Sequence, residues 1–140
     1  MPTCHELGIG FVPYSPLGRG FLTGRFNAES RFESDDARNT RPRFTSENLR
    51  ANRTLADFIV QMASNKSCSP AQISLAWLLA QGDNIVPIPG TNKVKHLEDN
   101  FAAADIDLTS EDLLQITQAL ESFQPVGSRY TAEGMKGVNV

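Results

Sequence analysis

The chain has 140 residues, of which 40% are hydrophobic and 21% charged, which is typical of one soluble globular domain. Its net charge of -3 and its isoelectric point near 5.3 give no electrostatic reason to expect nucleic acid or an anionic membrane as a partner. It has no apolar run of about 18 residues and no signal-peptide pattern, so we expect a cytoplasmic protein in which Cys4 and Cys68 are reduced.

The first 24 residues predict a glycine break, a strand and a turn. Gly8 would end any helix that precedes it, and the apolar residues 9–12 predict a strand that stops at Pro13. The prolines and glycines of residues 13–20 suit a rigid turn that brings backbone amides close to a ligand. A plain turn between a strand and a helix is the alternative.

Residues 25–44 are rich in Arg, Asp and Glu and contain little periodic apolar sequence. A loop of this length is usually either functional or disordered. We predict a long, mobile, charged loop, which acts either as a lid over a site or as a solvated connector.

Two helices are predicted next. Thr45 or Ser46 starts the first, whose apolar residues Leu49, Leu55, Ile59 and Met62 recur at near-helical spacing. The segment Ser69-Pro-Ala-Gln72 gives the second an N-cap, a proline at its first position and a capping-box glutamine. This helix is expected to run to about Gln81 and to stop at Gly82, with Trp77 in the core.

Residues 84–100 carry the main functional signal. Ile85, Val86 and Ile88 form a short apolar run bounded by turn residues, which predicts a buried parallel strand. A helix capped by Thr91 or Asn92 follows. Its apolar face would contain Val94, Leu97 and Phe101, and its polar residues would be Lys93, Lys95, His96, Asp99 and Asn100. A helix start with Lys93 and Lys95 suits a phosphate, so this unit is a candidate nucleotide site.

A last capped helix is predicted from Thr109, with Asp112 three residues later, and a weakly ordered tail follows Pro125. The order strand, two helices, strand, two helices is that of β/α units, because parallel strands need crossover connections. An eight-stranded β/α barrel is the natural parent of such units.

Two long motifs resemble one family. Residues 85–91 with residues 97–100 resemble the last strand and helix of the aldo-keto reductases, where they hold the adenosine 2'-phosphate of NADPH. Residues 7–24 are similar to that family's seventh strand and pyrophosphate loop. The resemblance implies an α/β fold, the C-terminal fragment of a (β/α)8 TIM barrel with two βα units plus C-terminal helices. Residues 1–140 would be part of one domain, with a variable loop at 25–45 and a tail at 125–140.

The resemblance also implies a role for each of thirteen residues. Tyr14 would stack on the nicotinamide. The residues along the pyrophosphate would be Ser15, Leu17, Gly18, Arg19 and Gly20. The loop around the 2'-phosphate would be Gly90, Thr91, Asn92 and Lys93, and the helix positions that reach the phosphate or adenine would be His96, Asp99 and Asn100. Some family members have Arg in place of His96, so the preference for NADPH over NADH would depend on Lys93 and the helix terminus.

The residues form no catalytic constellation and no metal-ligand spacing. The family's chemistry needs Asp, Tyr, Lys and His on strands that would precede Met1, and Tyr14 is not that tyrosine because its neighbours match the cofactor loop. We therefore expect the NADP(H)-binding part of a reductase of aldehydes and ketones, without the catalytic tetrad and inactive alone. The alternatives are a non-catalytic NADP(H)-binding sensor and an inactive truncated product. Self-association of the chain is expected.

Overall fold

A computed structural model describes residues 2–138. Its α-helices, in chain order, are α1 Pro2–Glu6, α2 Ser46–Ala51, α3 Arg53–Asn65, α4 Pro70–Leu79, α5 Val94–Phe101, α6 Ser110–Ser122 and α7 Ala132–Met135. Short 3-10 segments are at Gly18–Thr23, Ala37–Thr40, Pro42–Phe44 and Ala102–Asp105, and the first of them is kinked at Arg19 and Gly20. The first residue of the predicted N-terminal helix and the last two of the predicted tail, 1, 139 and 140, lie outside the described residues.

The two predicted strands are not present as strands in the described chain. Within the described chain their only pairing is one isolated parallel bridge between Phe11 and Ile85. The amide of Phe11 donates to Asn84 O at 2.7 Å, and the amide of Val86 donates to Phe11 O at 2.9 Å. The next parallel bond would come from residue 13, and Pro13 has no N–H to donate, so the ladder stops there. The predicted burial holds for Ile85, whereas Val86 and Ile88 are exposed.

Helices α3, α4 and α6 pack around the hydrophobic core. Its buried cluster consists of Ile59, Met62, Ala63, Ile73 and Ile116. Trp77 packs against this cluster, as predicted. The predicted capping boxes at Ser69 with Gln72 and at Thr109 with Asp112 are both present and begin α4 and α6. Each box satisfies two backbone donors that a helix start leaves free, which explains why these helices begin where the sequence predicts.

The helix predicted from residue 45 is in fact two helices, because the chain turns at Asn52. Its side chain is only 3% exposed and holds the C-terminal tail. Asn52 Nδ2 donates to Val126 O at 2.9 Å, and Asn52 Oδ1 accepts from the Val126 amide at 2.7 Å. Arg43 Nε adds a bond to Gly127 O at 3.1 Å. Because the buried Asn52 amide finds its partners 74 residues away, the sequence around Asn52 does not predict the break between the two helices.

The loop at residues 25–44 contains an aromatic cluster that the sequence analysis missed. The rings of Phe26, Phe32 and Phe44 meet edge to face, with centroids 5.2 to 6.1 Å apart. The guanidinium of Arg38 lies 4.6 Å from the Phe26 centroid and 4.7 Å from that of Phe32. These contacts are within cation–π range and pack the loop around its own side chains.

Helix α5 presents its apolar residues to the outside, which contradicts the predicted orientation. The exposed fractions of Val94, Leu97 and Phe101 are 72%, 58% and 80%. Lys93, without a side-chain cap, occupies the N-cap position that was predicted for Thr91 or Asn92. The pattern of an amphipathic helix is present, but its apolar face has no neighbour in the described chain.

Cys4 and Cys68 are free cysteines. Across residues 2–138, none of the helices combines the length and the apolar character that a membrane crossing requires.

Candidate functional site

A cavity of about 720 Å³ lies between the turn after Pro13 and the loop that leads into α5. Twelve of the thirteen predicted site residues line it. They are Tyr14, Ser15, Leu17, Arg19 and Gly20 on one wall and Gly90, Thr91, Asn92, Lys93, His96, Asp99 and Asn100 on the other. Gly18 is absent from the lining, and its amide donates to Ser15 O inside the turn at 2.8 Å. Two loops more than 60 residues apart in sequence therefore meet at one cavity.

The first wall has an unusual backbone. Ser15 and Arg19 have φ of 54° and 56°, and Gly20 has φ of 90°. Non-glycine residues in this region cost of order 1 kcal/mol or more, and such residues concentrate at binding sites. The Gly20 amide already donates to Leu17 O at 2.9 Å. The amides of Gly18 and Gly20 are therefore used inside the turn, and the side chain of Arg19 is the charged group on this wall.

Tyr14 projects from this wall and is largely exposed. Arg19 lies over its ring at 5.8 Å and contacts its hydroxyl through Nη2 at 3.5 Å. The nearby hydroxyl of Tyr130, and after it Arg19 and Ser15, lower the pKa of Tyr14 because they stabilise the phenolate. The exposed ring offers a flat apolar surface for stacking.

The second wall is the start of α5. The amide of Lys93 donates to Thr91 Oγ1 at 3.2 Å, and Lys93 O accepts from the amides of His96 and Leu97 at 3.0 Å. The side chain of Lys93 is exposed at the cavity, where the first amides of the helix add positive potential. Lys95, predicted to share in phosphate binding, does not line the cavity.

Asp99 joins this wall to the start of α4. Its Oδ2 accepts from Ser69 Oγ at 2.8 Å, and both residues line the cavity. His96 and Asn100 beside it are half-buried. The bond ties the last turn of α5 to the start of α4.

The lining also contains residues that no sequence motif indicated. The additional polar residues are Thr23, Arg25, Arg38 and Ser69. Arg38 is paired with Asp36 at 2.9 and 3.1 Å through Nε, and these bonds lower the pKa of the Asp36 carboxyl. The start signal at Ser69 could have pointed to the site, since helix starts attract anions, whereas Arg25 and Arg38 lie in a loop without a recognisable motif.

The charge balance of the lining favours an anionic ligand. Among the described residues that line the cavity, the cations are Arg19, Arg25, Lys93 and Arg38, of which Arg38 is paired with Asp36, and the acid is Asp99. This excess of positive charge occurs in a chain whose net charge is -3. Cations and helix starts around a concave surface are typical of a site for a phosphate-bearing ligand. No group of His, Cys, Asp or Glu in residues 2–138 is arranged to hold a metal ion.

Comparisons with known proteins agree with the resemblance. The model of the Aldo/keto reductase family matches residues 1–121. The chain is 44% identical over 130 residues to aldo-keto reductase yakc [NADP(+)] of Schizosaccharomyces pombe, and 43% identical over 130 residues to probable aldo-keto reductase 1 of Glycine max. Both alignments cover 93% of this chain. The chain therefore belongs to the aldo/keto reductase family.

Solved structures are similar as well. The thermostable aldo-keto reductase Tm1743, solved with the inhibitor epalrestat, aligns with 84% of this chain at 27% identity and a TM-score of 0.54. The glycerol dehydrogenase AKR11B4 of Gluconobacter oxydans aligns with 94% at 24% identity and a TM-score of 0.72, which shows a shared fold. The chain spans 38% and 37% of the two sequence relatives, and 32% and 40% of the two structures.

Proposed function

We propose that this chain is the NADP(H)-binding, C-terminal part of an oxidoreductase that reduces aldehydes or ketones to alcohols. The observation that carries the proposal is the meeting of both motif loops at one cation-lined cavity. Membership of the family supports the reaction class, and the printed name of the fission-yeast relative supports NADP(H) as the cofactor. The proposed domain is one aldo-keto reductase domain, with residues 25–45 as its variable loop and 125–140 as its tail.

The lining fits NADPH by the chemistry of its donors. Arg19 would meet the pyrophosphate, while Lys93 and the start of α5 would meet the 2'-phosphate. Tyr14 would stack on the nicotinamide. When bound, NADPH supplies hydride to the carbonyl carbon of the substrate. The part of the reaction that belongs to these residues is to bind and orient the cofactor.

The proton donor and its partners are proposed to lie outside this chain. The carboxyl of Asp99, on the second wall, is already bonded to Ser69, and Tyr14 has no Lys or Asp among its described contacts. We therefore place the catalytic Asp, Tyr, Lys and His in sequence that precedes residue 1 in the complete polypeptide. The complete protein would act on a small carbonyl compound and would be located in the cytoplasm.

A chimera tests this function. The amino-terminal part of the fission-yeast relative is joined to residue 2 of this chain to give what we call the completed barrel. We expect it to bind NADPH and to oxidise it when a reactive aldehyde is added, measured by absorbance at the nicotinamide band. A folded completed barrel that does not bind NADPH would contradict the proposal.

The reading frame upstream of residue 1 separates an enzyme from a sensor. The tetrad in that frame would mark a reductase. If that frame lacks the tetrad and the encoded protein binds NADPH, the natural protein is a non-catalytic NADP(H)-binding module. These two outcomes share the cofactor site and differ in chemistry.

A further inference from the structure

A cluster of arginines and two tyrosines lies at one edge of the cavity. We call it the arginine cluster, and its members are Arg19, Arg41, Arg43 and Arg129 with Tyr14 and Tyr130. The Arg19 guanidinium lies 5.3 Å from the Tyr130 centroid and Arg41 lies 5.0 Å from it. Because Arg19 also lies 5.8 Å from the Tyr14 centroid, the cluster is continuous with the cavity.

The positive charge of this cluster is not balanced by the described chain. None of the four guanidiniums appears among the ion pairs of residues 2–138, which join other residues. Burial first, and then the charges of Arg129 and Arg19, lower the pKa of Arg43. Like charges held together without a counter-ion cost free energy, and a bound anion removes that cost.

Arg41 provides a second, independent observation. Its Nε is buried and has no hydrogen-bond partner in the described chain. Buried polar groups are nearly always bonded, so a donor without an acceptor requires an explanation. Guanidinium groups bind carboxylate and phosphate in two-point geometry, and an oxygen of such an anion would satisfy this N–H.

The cluster lies on the Tyr14 side of the cavity. Arg19 and Tyr14 belong to both, whereas Arg41, Arg43, Arg129 and Tyr130 do not line the cavity. Because Tyr14 is proposed to stack on the nicotinamide, an anion bound in the cluster would lie near the carbonyl that is reduced. Lys93, where the 2'-phosphate is proposed to bind, is on the other wall of the cavity. The favoured occupant is therefore the substrate and not the cofactor.

The C-terminal tail is held firmly where it contributes to the cluster. The Asn52 side chain makes two hydrogen bonds to the backbone of Val126, and Arg43 Nε donates to Gly127 O. Gly127 has φ of +88°, and a Cβ there would lie 2.6 Å from Asn48 Nδ2. The tail thus reaches Arg129 and Tyr130 from a fixed point.

We propose that the arginine cluster binds the carboxylate or phosphate group of the carbonyl substrate, so that the reductase prefers anionic aldehydes or ketones. This proposal rests on the proposed function, because it takes Tyr14 as the nicotinamide end.

A matched pair of substrates tests the preference in the completed barrel. 4-Carboxybenzaldehyde carries a carboxylate where methyl 4-formylbenzoate carries a neutral ester, and because the ester withdraws electrons more strongly, intrinsic reactivity alone would favour the ester. We expect kcat/KM to be roughly tenfold or more higher for the carboxylate, and Arg41→Met to lower it roughly 10- to 100-fold, mainly through KM. The ester's kcat/KM and the Kd for NADPH should stay unchanged. Arg50→Met, which removes an exposed charge outside the cluster, is the control.

Other outcomes would overturn the proposal. Equal losses for acid and ester would assign Arg41 a structural role, and weaker NADPH binding would assign the cluster to the cofactor.

Should Arg41→Met fail to fold by circular dichroism, the variant Arg129→Gln, at an exposed position, is measured in its place. Calorimetry with 4-carboxybenzaldehyde in the absence of NADPH tests the cluster even where turnover fails. Binding that Arg41→Met or Arg129→Gln weakens supports the cluster, and no binding overturns it.

Asn52→Ala tests the tail without removing any arginine. Loss of the two bonds to Val126 should speed hydrogen exchange in residues 124–130 and reduce the preference for the carboxylate several-fold. Asn65→Ala, at an exposed position at the end of α3, should change neither. Faster exchange with an unchanged preference would contradict a role for the tail in binding.

Discussion

Expressed alone, the 140-residue chain is expected to show no cooperative thermal transition as a monomer and to leave aldehydes unreduced. Its folded arrangement exposes 9209 Å², whereas a compact monomer of 15.3 kDa exposes roughly 7,100 Å². Even if only half of the excess is apolar, at about 25 cal/mol per Å² it outweighs the net stability of about 5 to 15 kcal/mol typical of a domain.

The surface that lacks neighbours can be named. Val94, Leu97 and Phe101 form an exposed apolar stripe along α5, and Val12 and Val86 are exposed beside the single bridge. Two short extended segments leave unpaired backbone edges, which favour pairing with other chains. We therefore expect self-association, driven by the same faces that further barrel units would cover.

Circular dichroism melting with analytical ultracentrifugation measures the first part of this prediction, and an NADPH-consumption assay measures the second. The completed barrel is the control and should melt cooperatively. A cooperative melt of the isolated chain in a monomeric sample would contradict the stability argument. Turnover by the isolated chain that Tyr14→Phe abolishes would overturn the placement of the catalytic residues outside it.

Reversing one charge at the start of α5 is expected to change the cofactor preference. In the completed barrel, Lys93→Glu should weaken NADPH binding by about 1 to 3 kcal/mol, the scale of a charge-assisted hydrogen bond, and leave NADH nearly unchanged. The physical reason is that the exposed Lys93 lines the cavity at a helix start, where a second positive potential acts on the same anion. Fluorescence titration of both cofactors gives the two values of Kd.

The chain supplies a close control for this charge reversal. Lys95→Glu makes the same change two residues later on an exposed side chain that does not line the cavity. We expect it to alter NADPH binding much less than Lys93→Glu does, since exposed charges are strongly screened at physiological salt. Equal losses for NADPH and NADH in Lys93→Glu would refute a role at the 2'-phosphate.

Features determined by neighbours in sequence could be predicted, and features determined by distant partners could not. The capping boxes at Ser69 and Thr109 lie within four residues each, so their pattern identified the helix starts. The break at Asn52 depends on Val126, and the orientation of α5 depends on what packs against it. The two predicted strands amount to one bridge in the described chain, because Pro13 has no N–H to continue the pairing and a strand needs neighbours that local sequence does not specify.

The candidate site divides in the same way. The family resemblance pointed to residues that the structure brings to one cavity, although nothing in their spacing alone required the two loops to meet. Arg25 and Arg38 were missed because their loop has no recognisable motif. The arginine cluster was missed because Arg129, which lies in the tail, is 86 residues away from Arg43 in the sequence. The role of each site residue stays a prediction.

A crystal structure of the completed barrel with NADP+ tests the central claim most directly. The account predicts the 2'-phosphate within hydrogen-bond distance of residues 90–93 and the nicotinamide ring against Tyr14. A dinucleotide bound away from both loops, in a well-folded barrel, would contradict it.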